Sequence, residues 1–209
     1  MTTPFAIVRR WMWVMAAVAI TTGSMVAAAS SAATPSATIE NFHHALLGVM
    51  KDAEKLGFKG RYDRLAPAID TVFDLERTLR VATNPAWTKA TPAEQKALLA
   101  AFRRITLGTY ASRFDGFSGQ SFAINSEKSG PQQTTLVSAH IVRPGKTPVA
   151  LTYVMTEKDS AWRIIDVILD TGISELATRR SEYSRILTVD GVDGLVKALN
   201  AKADQLVTP

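Results

Sequence analysis

"PVALTYVMTEKDSAWRIIDVILDTGIS" (Pro148–Ser174) holds two runs of branched, aliphatic and aromatic residues with a polar break at Glu157–Ser160. Such residues suit a pleated, half-buried surface. Lys158-Asp159 is turn chemistry, so the stretch reads as a β-hairpin over about Thr147–Glu157 and Ala161–Asp170. A two-residue loop at Lys158-Asp159 fixes a register. Met155 then opposes Trp162, Tyr153 opposes Ile164, Leu151 opposes Asp166, and Val149 opposes Ile168. These eight side chains share one face. The other face carries Ala150, Thr152, Val154, Ile165, Val167 and Leu169, with Arg163 near the end. At about 25 cal/mol per Å² of apolar surface, exposing either face costs several kcal/mol.

Two readings of that hairpin stay open. Helices cover both faces and the interior packs to crystal-like density. Alternatively, helices close over one face without filling it, leaving an apolar cavity. Pattern alone does not separate a filled face from a hollow one.

Period-two alternation also marks strands over about Phe117–Glu127 and Thr134–Arg143, and the connectors Ser129-Gly130-Pro131 and Pro144-Gly145-Lys146 are short and turn-forming. Short links between consecutive strands predict a four-stranded antiparallel meander. Helical periodicity flanks it. Ile39, Phe42, Leu46, Met50 and Ala53 mark a helix over Ser36–Gly57. A shorter one spans Arg61–Phe73, which Pro67 weakens or starts, and Leu75–Val81 adds a turn or two. Thr91-Pro92-Ala93-Glu94 is a capping box with Pro at the first helical position, opening a helix to about Ser112. Ser174 caps a helix to about Leu187, and Gly191–Leu206 forms the last. The sum is an α+β domain with five to six helices.

Residues 1–33 stand apart. Arg9 and Arg10 precede the apolar run Trp11–Ile20 and a small-residue segment, the pattern of a secretory signal with cleavage near Ala29 or Ala33. The rest, 34–209, is one domain's worth of chain. The charge of +5 falls to about +3 without the two leader arginines, too mild for nucleic-acid binding. With no cysteine, an exported chain holds together by packing alone, and thiolate chemistry is excluded.

No G-x-S-x-G, P-loop or G-x-G-x-x-G motif is present. His43 and His44 are helix neighbours about 100° apart and cannot chelate one ion. Asp166 needs an explanation, because a carboxylate on an apolar strand must be paired, protonated or solvated. One reading makes it a structural group, ion-paired to Arg180 or Arg179 or hydrogen-bonded to Tyr153. The alternative is a general base, with Tyr153 as oxyanion donor, in an exported enzyme acting on a small hydrophobic substrate. Lys96, Arg103, Arg104, Arg113, Arg179, Arg180 and Arg185 form a solvated face, a docking surface or a rim that meets lipid phosphate.

The chain resembles the periplasmic phospholipid-binding proteins of the MlaC type, also called toluene-tolerance auxiliary proteins. The likeness rests on "FDLERTLR" (Phe73–Arg80), "WTKATPAEQKALLAAFRRITLGTYASRF" (Trp87–Phe114) and the opening stretch, and continues through "RRSEYSRIL" and "DGVDGLVKAL". Phe73, Asp74, Trp87, Tyr110, Tyr153, Trp162, Asp166, Gly172, Ser174 and Arg180 match its motif positions. The resemblance implies an exported, non-catalytic, cofactor-free monomer whose sheet and helices enclose lipid tails. It also implies partners: an inner-membrane ABC-type transporter and an outer-membrane complex. Cavity candidates are then Phe73, Leu98, Phe102, Tyr110, Val149, Leu151, Tyr153, Met155, Trp162, Ile164 and Ile168. Gly172-Ile173-Ser174-Glu175 followed by Arg179-Arg180 departs from the usual family pattern and is closer to the hopanoid-associated HpnM branch. The implied cargo is therefore phospholipid or a hopanoid-type lipid.

Overall fold

The computed structural model describes residues 33–170 and 172–207. The expected leader, residues 1–33, lies outside them apart from Ala33. Among the described residues, no helix is long and apolar enough to cross a membrane.

Helices α1 (Pro35–Lys51), α2 (Ala53–Val72), α3 (Leu75–Thr83), α4 (Ala86–Lys89) and α5 (Pro92–Arg113) precede the sheet, and α6 (Glu175–Val207) follows it. Threonine followed by proline starts both α1 and α5. The Thr34 hydroxyl accepts from the Ala37 amide at 3.1 Å, and Thr91 with Glu94 completes the expected capping box. Two glycines break longer helices. Gly57 in α2 (φ 59°, ψ −177°) and Gly191 in α6 (φ 66°, ψ −163°) occupy a backbone region that is essentially glycine-only. These are the glycines at which the sequence pattern ends one helix and begins another. Pro67 sits inside α2 rather than at its start. The α1 stripe Ile39, Phe42, Leu46 and Met50 is buried. Ile39, Phe42 and Leu46 meet Leu65 and Ile69 of α2, Leu98 and Phe102 of α5, and Leu195 and Leu199 of α6 in one core.

Strands β1 (Ser121–Ser129), β2 (Thr135–Arg143), β3 (Lys146–Lys158) and β4 (Ala161–Leu169) pair antiparallel in chain order, which is the expected meander. One sheet face is turned to the helices, with Val137, Ala139, Leu151, Tyr153, Met155 and Ile164 buried. Val154, Thr152 and Ile168, on the other side, stay half-buried.

The last hairpin corrects the expected register. The turn residues are Asp159 and Ser160, both left-handed (φ 51° and 58°), so Lys158 pairs with Ala161. That backbone matches a type I′ turn, whose twist suits a hairpin. Met155 therefore opposes Ile164 rather than Trp162, and Glu157 opposes Trp162. A bulge then intervenes. Val154 pairs with Asp166, leaving Ile165 unpaired, so Tyr153 faces Val167 and Leu151 faces Leu169. One extra residue switches which side chains turn inward. Val167 and Leu169 thus join the inner face in place of Ile168.

The free edge of β4 is covered. The Asp74 amide donates to the Ile164 carbonyl at 3.0 Å, and the Thr78 hydroxyl donates to the Ile165 carbonyl at 2.9 Å. Farther along, the Leu169 amide donates to the Ile173 carbonyl. Covering an edge removes a template for intermolecular strand pairing.

Candidate functional site

A cavity of about 390 Å³ lies between the inner sheet face and the helices. Its sheet wall is Ile141, Val149, Leu151, Tyr153, Val167 and Leu169. These six fall on one face because of the β2–β3 register and the β4 bulge. Helix α5 contributes Thr106, Thr109 and Tyr110, and Leu75 and Thr78 come from α3. Arg113 and Phe114, where α5 ends, also line the cavity, as do Gln120, Arg143, Glu175, Leu176 and Arg179. The volume is at the low end of the ~300–1,000 Å³ typical of ligand pockets.

Aromatic rings hold the wall in place. Phe42, Phe73 and Tyr110 form a triangle of edge-on contacts with ring centres 5.6 Å apart, and Tyr110 stacks on Phe114 at 5.7 Å. Such geometry adds to simple burial and fixes ring positions. Burial raises the Tyr110 phenol above its usual range, partly offset by the charges of Arg179 and Arg113.

Of the expected cavity residues, Phe73, Tyr110, Val149, Leu151 and Tyr153 reach the lining. Leu98, Phe102, Met155 and Ile164 do not. They are fully enclosed and pack as solid core. Trp162 stands opposite Glu157 near the hairpin tip, and Ile168 pairs with Thr152 on the other side of the bulge; neither lines the cavity. Val167, Leu169, Ile141, Thr106 and Arg143 were not among the expected set, and Arg113 and Arg179 were named only within a basic face, docking surface or lipid-phosphate rim. The bulge hid the first two, since no residue type announces it. The arginines were visible as residues but not as members of one lining.

Asp166 lines the cavity, yet its partners are not Arg180 or Tyr153. Oδ1 accepts from the Val167 amide at 2.7 Å and the Leu176 amide at 2.9 Å, and Oδ2 accepts from the Ser174 hydroxyl at 2.6 Å. Ser174 in turn accepts from the Ala177 amide at 2.9 Å. Together they satisfy the orphan amides that begin α6. Tyr153 is committed elsewhere: its hydroxyl and His43 Nε2 are 2.9 Å apart, and His43 stacks on Phe122 at 4.3 Å. Burial also pushes the Tyr153 phenol well above its usual range. An acid–base pair of Asp166 and Tyr153 therefore has no geometric support. Arg103 and Arg104 resolve as surface contacts, to Asp70 and to Asn200 and Asp204. Among the described residues, no cluster of His, Cys, Asp and Glu could hold a metal ion.

His43 makes the site's support pH-sensitive. Burial, and secondarily the neighbouring His44, lower its pKa from 6.5 to about 4. The folded ring stays neutral where an unfolded chain takes up a proton. Stability is therefore full above about pH 6.5 and falls as pH drops towards 4, by up to about 3 kcal/mol from this group. Thermal melts across that window should show a shallower pH slope in His43→Gln than in the wild type. Equal slopes would assign the loss to other groups.

Among the described residues, the buried side-chain polar atoms without a hydrogen-bond partner are Thr106 Oγ1 and Arg143 Nε. Both residues line this one cavity. Buried polar groups are otherwise almost always satisfied, so among the described residues the unsatisfied buried side-chain atoms fall in the cavity lining.

The architecture is shared with a solved phospholipid-binding protein from Ralstonia solanacearum, a structure in complex with a phospholipid. The TM-score is 0.73 at 22% identity, over 82% of this chain and 98% of that one. At that identity the likeness speaks for the fold. The family model described as "MlaC protein" matches residues 40–201, from within α1 through the sheet and past the Gly191 break. Spanning well over half of the sequence and every wall of the cavity, that match shows that the chain belongs to the MlaC family.

Proposed function

We propose that this protein is a periplasmic lipid carrier, which encloses acyl tails in the cavity and moves lipid between membrane complexes without covalent chemistry. The observation that carries this reading is the hollow inner face. Leu151, Val149, Val167 and Leu169 line about 390 Å³ that side chains do not fill. Native interiors seldom leave such space. Membership of the MlaC family and the phospholipid in the Ralstonia solanacearum relative support lipid as the occupant.

The energetics suit a shuttle rather than a pump. A buried methylene gains about 0.8 kcal/mol over water, but a lipid leaving a bilayer starts with its methylenes already dry. The net gain is near zero, and the protein's contribution is to lower the aqueous barrier. Direction then comes from partners, an inner-membrane transporter and an outer-membrane complex, or from a lipid gradient. Residues 1–33 serve as the export signal in this scheme.

Protein purified without detergent from its own cells should carry lipid at close to one molecule per chain, seen by native mass spectrometry. Extraction and lipid mass spectrometry then identify the cargo as phospholipid or as a hopanoid-type lipid. Uniformly empty protein that also fails to take up lipid from vesicles would overturn the reading.

A further inference from the structure

We propose that the cationic side chains of the cavity lining read negative charge: Arg113, Arg143 and Arg179 select acyl amphiphiles with a phosphate or carboxylate head over neutral or cationic ones. This deepens the carrier reading and rests on it. Three guanidiniums share this lining with two carboxylates, Asp166 and Glu175. Asp166 is occupied in starting α6, with both oxygens engaged. Glu175 holds Arg113 only loosely, at 3.7 Å, beyond hydrogen-bond distance.

Arg143 carries a buried donor without a partner. One terminal nitrogen donates to the Thr147 carbonyl at 3.2 Å, while its Nε is buried with no acceptor among the described residues. A guanidinium is permanently charged and presents donors in a rigid fork that matches phosphate and carboxylate oxygens. Arg179 lies 5.1 Å over the Phe102 ring, which holds the cation in place from the core side. Arg113 and Arg179 line the same cavity as Tyr110. An oxyanion entering with its tail among the apolar walls would meet the unused Nε of Arg143 and the loosely held guanidinium of Arg113. The apolar walls would strengthen each contact by keeping water away.

The test holds the tail constant and varies the head. Dodecyl phosphate, dodecanoate, tetraethylene glycol monododecyl ether and dodecyltrimethylammonium are titrated by calorimetry into delipidated protein, below their micelle thresholds. At least one anion should bind about tenfold more tightly than the ether, and the cation more weakly than the ether. Comparing the two anions tells phosphate from carboxylate preference. Inorganic phosphate, lacking a tail, should give no heat at the same concentrations; affinity equal to dodecyl phosphate would overturn the coupling of head to tail. Arg143→Gln and Arg179→Gln should each narrow the gap between anion and ether by threefold or more. Glu175→Gln should widen it, a gain that a misfolded variant cannot imitate. Equal affinity for all heads, or arginine variants that weaken the ether as much as the anions, would overturn the head-reading site and leave the carrier reading standing. No binding of any amphiphile would remove both.

Discussion

Replacing Leu151 by tryptophan should empty the protein of lipid without unfolding it. Leu151 sits on β3 between Ala139 of β2 and Leu169 of β4, with its side chain on the cavity wall. An indole there projects into space that no other side chain fills. Each displaced methylene forfeits about 0.8 kcal/mol, so losing room for even three costs about 2.4 kcal/mol, or roughly 50-fold in affinity. The sign of the stability change separates the hollow reading from a filled one. In a packed core the larger ring would strain its neighbours and cost about 1–3 kcal/mol. In a cavity it covers apolar wall, and the melting temperature of lipid-free protein should hold or rise. Val142→Trp, on an exposed β2 side chain, serves as the control and should load lipid normally. A destabilised Leu151→Trp protein that still carries lipid would show the face to be ordinary core.

The fold was largely legible because its signals are local. Capping chemistry at Thr91 and Glu94, glycine at 57 and 191, and alternation in the strands each act within a few residues. The site was legible only in part, since its membership depends on one unpaired residue. Ile165 shifts everything after it in β4, placing Val167 and Leu169 where alternation had placed Ile168. No propensity marks that bulge, because isoleucine is as good a strand former inside a bulge as beside it. Leu98, Phe102, Met155 and Ile164 were expected on the cavity for the right hydrophobicity, but a buried apolar side chain looks the same whether it lines space or fills it. The arginines reach the lining from the end of α5, the end of β2 and the first turns of α6, segments separated by dozens of residues. Only the assembled fold brings them to one cavity.

Asp166→Asn should lower the melting temperature by roughly 5–15 °C, and the reason is the start of α6 rather than an ion pair. The carboxylate takes two backbone amides and the Ser174 hydroxyl, and Ser174 takes a third amide. Hydrogen bonds to a charged group are worth about 1.5–3 kcal/mol, and a negative charge at a helix N-terminus adds about 0.3–1 kcal/mol. Asparagine retains one acceptor oxygen, but its amide nitrogen then faces either the Ser174 hydroxyl or a backbone donor. The expected loss is on the order of 2–4 kcal/mol, which for a domain of this size gives the stated shift at about 2–4 °C per kcal/mol. Arg180→Gln tests the competing explanation. If Asp166 stood in an ion pair with Arg180, that variant would match the Asn variant; with the partners seen here it should fall within about 2 °C of wild type, as exposed substitutions do. Hydrogen exchange should separate local from global effects. The Leu176 and Ala177 amides should exchange faster in Asp166→Asn than the Leu98 and Phe102 amides of α5, because the first turn of α6 loses its anchor before the core opens. That turn carries Glu175, Leu176 and Arg179 on the cavity wall. The same substitution should therefore blur lipid selection at temperatures where the fold is still intact. An unchanged melting temperature would mean that the Ser174 cap alone suffices to start the helix.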